Sequence, residues 1–129
     1  MPSSDRAVLV VDDDLDVREA LTDLLAYRGF QVMSAANGRE ALRLLRGLKE
    51  APSVILLDLM MPIMDGYGFH EEHGKDSLLA RIPVAIITAG HGVDLDRIAS
   101  AAPIVPKPIN VLRLFSIIDG LCRSANHVA

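Results

Sequence analysis

"ILLDLMMPIMDG", residues 55–66, decides how the chain folds. Four residues, Ile55 to Leu57 and then Asp58, take an apolar run directly into a carboxylate. Extended leftwards as "SVILL" (53–57), the run is short and continuous, which suits a strand covered on both faces rather than one face of a helix. A strand buried on both sides has no use for Asp58 unless something compensates its charge. Met-Met-Pro and then Asp65-Gly66 follow, turn chemistry that lets the chain leave the sheet.

Outward from this stretch the same pattern recurs. "AVLVV" (7–11) is a second continuous apolar run, followed by Val17, Leu21, Leu24 and Leu25 at helical spacing and by Gly29 as a stop. "FQVMSA" (30–35) reads as a strand and Asn37-Gly38 as a turn. Ala41, Leu44, Leu45 and Leu48 mark the next helix face. A polar helix after Gly66, interrupted at Gly74, precedes the strand "PVAIIT" (83–88). Asp94 can cap a short fourth helix carrying Leu95 and Ile98. "PIVP" (103–106), with two prolines, suits only an edge strand. Asn110 then caps a fifth helix with Val111, Leu114, Phe115, Ile118 and Leu121 on one face, and "RSANHVA" (123–129) reads as a frayed tail. The result is βα repeated five times, an α/β chain with an open parallel sheet and helices on both faces. Ligands of such sheets bind beyond the carboxyl ends of the strands.

Composition sets the outer bounds. A chain of 129 residues, half of them apolar, builds one domain with a core of its own. No run reaches the roughly 18 apolar residues of a membrane span, and the first residues lack the features of a signal peptide. The single cysteine, Cys122, excludes an internal disulfide, fits a reducing compartment and reads as a core thiol. A net charge of −4 without basic blocks argues against direct nucleic-acid binding. The expectation is a cytoplasmic single-domain protein.

The strand ends carry the chemistry. The first strand ends in Asp12, Asp13 and Asp14, the third in Asp58, the fourth in Thr88 and the fifth in Lys107. Two carboxylates about 4 Å apart repel by roughly 4 kcal/mol at an effective dielectric of 20, so one must stay protonated or a cation must neutralise them. With oxygen donors alone, and no Cys or His, the expected cation is Mg²⁺. Mg²⁺ keeps room for phosphate oxygens, one of which Lys107 would hold by charge and another Thr88 by hydrogen bond. A carboxylate at the centre can serve as nucleophile. Taken singly these residues are a helix cap, a turn, a strand-end hydroxyl and a solvated lysine; Asp16 with Glu19 even has capping-box spacing. Taken together, in order, they describe a phosphoryl-accepting rim.

With "VLVVDDD", "LLDLMMPIMDG", "AIITAG" and "VPKPI" in place, the chain resembles the receiver domain of two-component response regulators, over essentially its whole length. The resemblance implies a flavodoxin-like, doubly wound (βα)5 sheet with strand order 2-1-3-4-5, of the single-domain, chemotaxis-regulator-like kind, spanning residues 1–129 with no output domain. It implies that Asp58 is the phosphoacceptor, that Asp13 binds Mg²⁺ directly, that Asp12 acts at least partly through water, and that the Met60 carbonyl completes the protein's share of the metal shell. Thr88 and Lys107 take the phosphate-sensing roles, and the Lys107–Pro108 bond is expected to be cis. The phosphoryl group would come from a sensor histidine kinase, a histidine phosphotransfer protein or a small phosphodonor. The output would be a changed face, made of the fourth helix, fifth strand and fifth helix, presented to a downstream protein or to a second copy in a homodimer. Such a protein catalyses its own phosphorylation and dephosphorylation without being a turnover enzyme. Two departures bear on switching. Ile104 stands three positions before Lys107, where the family usually has an aromatic residue, so Ile104 is the candidate switch partner of Thr88. The span from Thr88 to Lys107 is short, implying a short fourth helix and a mobile Gly90-His91-Gly92 loop. Met60 and Gly90 carry no group to orient an attacking water, so hydrolysis of the acyl phosphate should not be fast.

Two other classes compete. A haloacid-dehalogenase-type phosphatase would need a second aspartate two positions after the nucleophile, where this chain has Met60. A phosphorylation-independent receiver-like binding or dimerisation module would need none of the acceptor residues that are present. His70 and His73 are read as a solvated helix face rather than a metal site.

Overall fold

A computed structural model describes residues 6–59, 61, 64–88 and 102–127, with side chains up to residue 123. Met60, Pro62, the Gly90-His91-Gly92 loop and the expected helix of Asp94, Leu95 and Ile98 lie outside the described residues. Five parallel strands, β1 (Ala7–Val11), β2 (Gln31–Ala35), β3 (Val54–Asp58), β4 (Val84–Thr88) and β5 (Ile104–Pro106), form one sheet in the order β2-β1-β3-β4-β5. Helices α1 (Leu15–Tyr27), α2 (Gly38–Gly47), α3 (Gly66–Lys75) and α4 (Val111–His127) are described around it, with a 3₁₀ turn at Leu79–Arg81.

The continuous apolar runs are explained by position. Every residue of β1, β3 and β4, the three inner strands, is buried. The edge strands β2 and β5 are mixed, and the two prolines around β5 are tolerated there because an outer edge needs no donors. Alternate residues feed two cores. Leu9, Val11, Ile55, Leu57 and Ile86 pack with Ala41, Leu42 and Leu45 of α2 and with Tyr67 and Phe69 of α3. Val8, Val10, Val54, Leu56 and Ile87 pack on the opposite face with Leu21 and Leu25 of α1 and with Leu114, Phe115 and Ile118 of α4. This is a doubly wound α/β sheet, and β1 and β3 flank the point where the connections change direction.

Local signals set the helix ends. Asp14, not Asp16, caps α1, accepting from the Asp16 and Val17 amides at 2.9 and 3.3 Å. The helix closes in a Schellman turn, with Gly29 at φ +92° and the Phe30 amide bonded to the Leu25 carbonyl at 3.1 Å. Asn37-Gly38 is not a free turn but the start of α2. The Asn37 side chain accepts from the Glu40 amide at 2.9 Å while Glu40 reaches back to the Ala36 amide at 2.8 Å. Gly74 does not interrupt α3, and α4 runs through the residues read as a frayed tail, since Arg123–His127 contain neither Gly nor Pro. Asn110 caps α4 as expected, at 3.0 Å from the Arg113 amide. Val111, expected on the buried face, is exposed at the helix mouth, and Leu42 joins Ala41 and Leu45 in the core, with Leu44 and Leu48 half-buried against it.

The histidines overturn the reading as a solvated face. His73 is buried, with Nε2 2.9 Å from the Ile82 carbonyl, and its ring stacks with those of Phe69 and His70. Helix α3 packs its C-terminal turns under the loop into β4, so the polar-looking stretch faces protein on this side. Cys122 is half-buried, and desolvation first, with the Asp119 charge second, pushes its thiol pKa up, away from reactivity.

Two outcomes test this packing. A Cβ on Gly66 would collide with the Asp58 carbonyl oxygen and lie 2.5 Å from the Leu59 Cα, so Gly66→Ala should destabilise by about 2 kcal/mol in urea titrations. Burial lowers the His73 pKa, partly offset by the Ile82 bond, so the unfolded chain takes up this proton at higher pH than the folded one. Stability should therefore fall as pH drops below about 6.5. His73→Gln should shrink that fall in urea midpoints between pH 7.5 and 5.5; an undiminished fall would contradict the assignment.

Candidate functional site

Register delivers the site residues to one rim. Val11 pairs with Leu57, so the next residues, Asp12 and Asp58, leave adjacent strands together. Asp58 pairs with Ile87 and Thr88 with Pro106, which steps Thr88 and then Lys107 along the same edge. Asp12, Asp58 and Thr88 are buried, and Asp13 is exposed at the mouth.

One carboxylate oxygen from each of Asp12, Asp13 and Asp58 lies within 4.8 Å of the others. The Lys107 ammonium sits 3.2 Å from Asp12 Oδ2 and 3.9 Å from Asp58 Oδ2. It bridges the two buried acids, and a half-buried cation at such distances offsets part of their repulsion. One lysine does not balance three carboxylates. The donor set is oxygen only, which fits a hard divalent cation such as Mg²⁺ and gives nothing for a soft one. Asp12, Asp13 and Asp58 are the residues that could hold it.

The surroundings fix these groups tightly. Asp12 receives the Asp14 amide on Oδ1 at 2.9 Å, its own amide donates to the Ala35 carbonyl of β2 at 3.1 Å, and its carbonyl accepts from Arg18 Nη1 at 2.8 Å. The Lys107 amide donates to the Thr88 carbonyl at 2.8 Å, and the Lys107–Pro108 peptide is cis. After Asp58 the chain turns back, the Gly66 amide bonding to the Leu59 carbonyl at 2.9 Å, while Asp65 caps α3 through the Gly68 amide at 2.9 Å. The Gly38 amide holds the Met64 carbonyl at 2.8 Å, where a Cβ would meet Met64 Cγ at 2.7 Å. Ile104 is half-buried against the core under β4, beside Ile86 rather than at the surface.

Asp12, Asp13, Asp58, Thr88 and Lys107 are thus assembled at one edge, while Met60 lies outside the described residues. Sequence spacing did not single out Arg18 or the Gly38–Met64 contact. Arg18 stands four residues after the cap Asp14, on the turn of α1 that faces back to the strand end. That placement was its only signal.

A family model described as "Response regulator receiver domain" matches residues 8–119. The chain belongs to the response regulator receiver domain family. Proteins of this family are signalling proteins rather than turnover enzymes, and receiver domains bind Mg²⁺ at an acidic pocket. Among relatives, this receiver domain is 37% identical to a probable transcriptional regulator ycf27 of Porphyra purpurea, over 99% of the chain and 52% of the relative. It is 38% identical to a CpxR homolog, a transcriptional regulatory protein of Haemophilus influenzae, over 90% of the chain and 50% of the relative. The chain spans about half the length of these curated relatives. A solved receiver domain of a signal transduction histidine kinase from Syntrophus aciditrophicus superposes with a TM-score of 0.84 at 29% identity, covering 95% of this chain and 94% of that one. The Vibrio cholerae chemotaxis protein CheY4 superposes at 0.79 with 27% identity, covering 89% and 97%.

The crowding of acids has a measurable cost. Asp13→Asn should raise stability without metal by about 1 kcal/mol at low salt. Mg²⁺ should stabilise the wild type more than the variant, by the linkage of binding to folding. Urea titrations with and without MgCl₂ check both; a variant less stable than the wild type in the absence of metal would contradict the repulsion.

Proposed function

We propose that this receiver domain is a phosphoacceptor switch, taking a phosphoryl group on Asp58 from the phosphohistidine of a sensor histidine kinase or histidine phosphotransfer protein. The observation that carries the proposal is the Lys107 ammonium lodged between Asp12 and Asp58, with Asp13 beside them, at the exit of three inner strands and an edge strand. A carboxylate oxygen of Asp58 attacks phosphorus, the phosphorus–nitrogen bond to the donor imidazole breaks, and the imidazole leaves as the neutral ring after taking up a proton. Asp12, Asp13 and Asp58, with the Met60 carbonyl that the resemblance adds, would hold Mg²⁺, which supplies charge neutralisation to the transferring oxygens. Lys107 holds a phosphoryl oxygen by charge, and the Thr88 hydroxyl donates to another. Most of the acceleration is positioning, which the strand ends supply before the donor arrives.

A protein donor has to reach the same rim. Beside Lys107 and Pro108 runs an apolar groove of about 260 Å³, lined by Val17, Leu21 and Leu24 of α1 and by Ile109 and Val111. A donor helix with an apolar stripe would seat there. After transfer, the added charge draws on Thr88, whose carbonyl is already bonded to the Lys107 amide, and so on β5 and Ile104. Driving a two-state face from 1:99 to 99:1 takes about 5.5 kcal/mol, within reach of several charge-assisted hydrogen bonds. The partner of that face is a downstream protein, a homodimer through β5, α4 and the chain between β4 and β5 being one form. Two relatives carry names of transcriptional regulators, which supports control of transcription as the output. We place it in the cytoplasm, where kinases draw on ATP, and treat residues 1–129 as one receiver unit.

Incubation with a small acyl phosphate and MgCl₂ should add one phosphoryl group by mass spectrometry, at Asp58, and none in Asp58→Asn. Lys107→Ala should slow the addition at least tenfold, since a charged donor to the transferring group is lost. A folded wild type that takes up no phosphate, or phosphate retained in Asp58→Asn, would refute the proposal and leave a binding module.

A further inference from the structure

We propose that Arg18 is a positioning residue of the cation pocket, setting Mg²⁺ affinity by locking the Asp12–Asp13 peptide. This rests on the acid cluster being the Mg²⁺ site. Asp12 is held at several points: its amide by β2, its carboxylate by the Asp14 amide and by Lys107, and its carbonyl by Arg18 Nη1 at 2.8 Å. Asp13 has a different standing. It is exposed, and what keeps its carboxylate within 4.8 Å of the Asp12 and Asp58 oxygens is the orientation of the backbone that carries it. The peptide joining Asp12 to Asp13 contains the carbonyl that Arg18 grips, so the guanidinium fixes the plane from which Asp13 departs.

Arg18 is well placed for this. It lies on α1, whose start is fixed by the Asp14 cap, and its own amide bonds to the Asp14 carbonyl at 3.0 Å. The bond from Nη1 thus closes a loop from the helix back to the strand end, across the residues that bear the acids. A charged donor on a part-buried carbonyl makes one of the stronger hydrogen bonds. Without it, Asp13 must be ordered by the metal itself, and binding weakens by the entropy of that ordering.

The test is calorimetric titration of the metal-free protein with MgCl₂, comparing wild type, Arg18→Gln and Arg18→Lys. The Mg²⁺ dissociation constant should rise about tenfold in Arg18→Gln, with partial recovery in Arg18→Lys. The Asp13 and Asp14 amides should exchange faster in metal-free Arg18→Gln, followed by NMR. Where Arg18→Gln fails to fold, Arg18→Lys carries the comparison. Wild-type binding with unchanged affinity in the folded variants would overturn the role of Arg18 alone; a wild type that binds no Mg²⁺ would overturn it together with the site.

Discussion

Three carboxylates held within 4.8 Å of one another, with a single ammonium between two of them, are the constraint around which this protein is organised. Left to themselves such groups would swing apart into water, since one ammonium offsets only part of their mutual repulsion. They stay because Asp12 and Asp58 end strands whose every residue is buried, and moving either would displace a core layer on each side of the sheet. Stability of the hydrophobic core is in this sense what keeps the rim electrostatically tense, a tension that a bound cation would relieve.

The supporting contacts divide the labour. Buried strands fix where Asp12, Asp58 and Thr88 stand. Glycines permit close approaches that the loops need, Gly66 against the Asp58 carbonyl and Gly38 against Met64. Side-chain caps at Asp14, Asn37, Asp65 and Asn110 start each described helix where the sheet hands over the chain. Lys107, on the far edge, is brought in by the bond of its amide to the Thr88 carbonyl. That one link joins Thr88, at the end of an inner strand, to the edge strand.

Much of this was legible in residue order. Continuous apolar runs disclosed the inner strands, and acids at their ends disclosed the rim, because a strand buried on both faces can expose a charge only at its end. The paired strand order followed from resemblance and not from periodicity, which says nothing about neighbours. Other features were hidden for specific reasons. His73 looks polar in sequence, yet its ring fills a gap between Phe69 and the loop at Ile82, a tertiary contact that helical spacing does not encode. Asn37-Gly38 reads as a turn or as a helix start equally well until Glu40 closes the capping box. Arg18 is an ordinary surface arginine in sequence, and only the curl of α1 back over the β1 end brings it to the Asp12 carbonyl.

Paramagnetic broadening is the most direct probe of the assembly itself. Mn²⁺, a hard cation that takes the same oxygen donors, broadens amide resonances near its binding point when added in small amounts to isotope-labelled protein. Resonances of residues 12–14, 58–59, 88 and 107 should broaden first and together, and excess Mg²⁺ should restore them. Residues at the other end of the sheet, Gln31, Val54 and Val84, should be unaffected. Broadening that spares residue 58, or that spreads evenly over the acidic surface, would mean that the strand ends do not form one cation pocket.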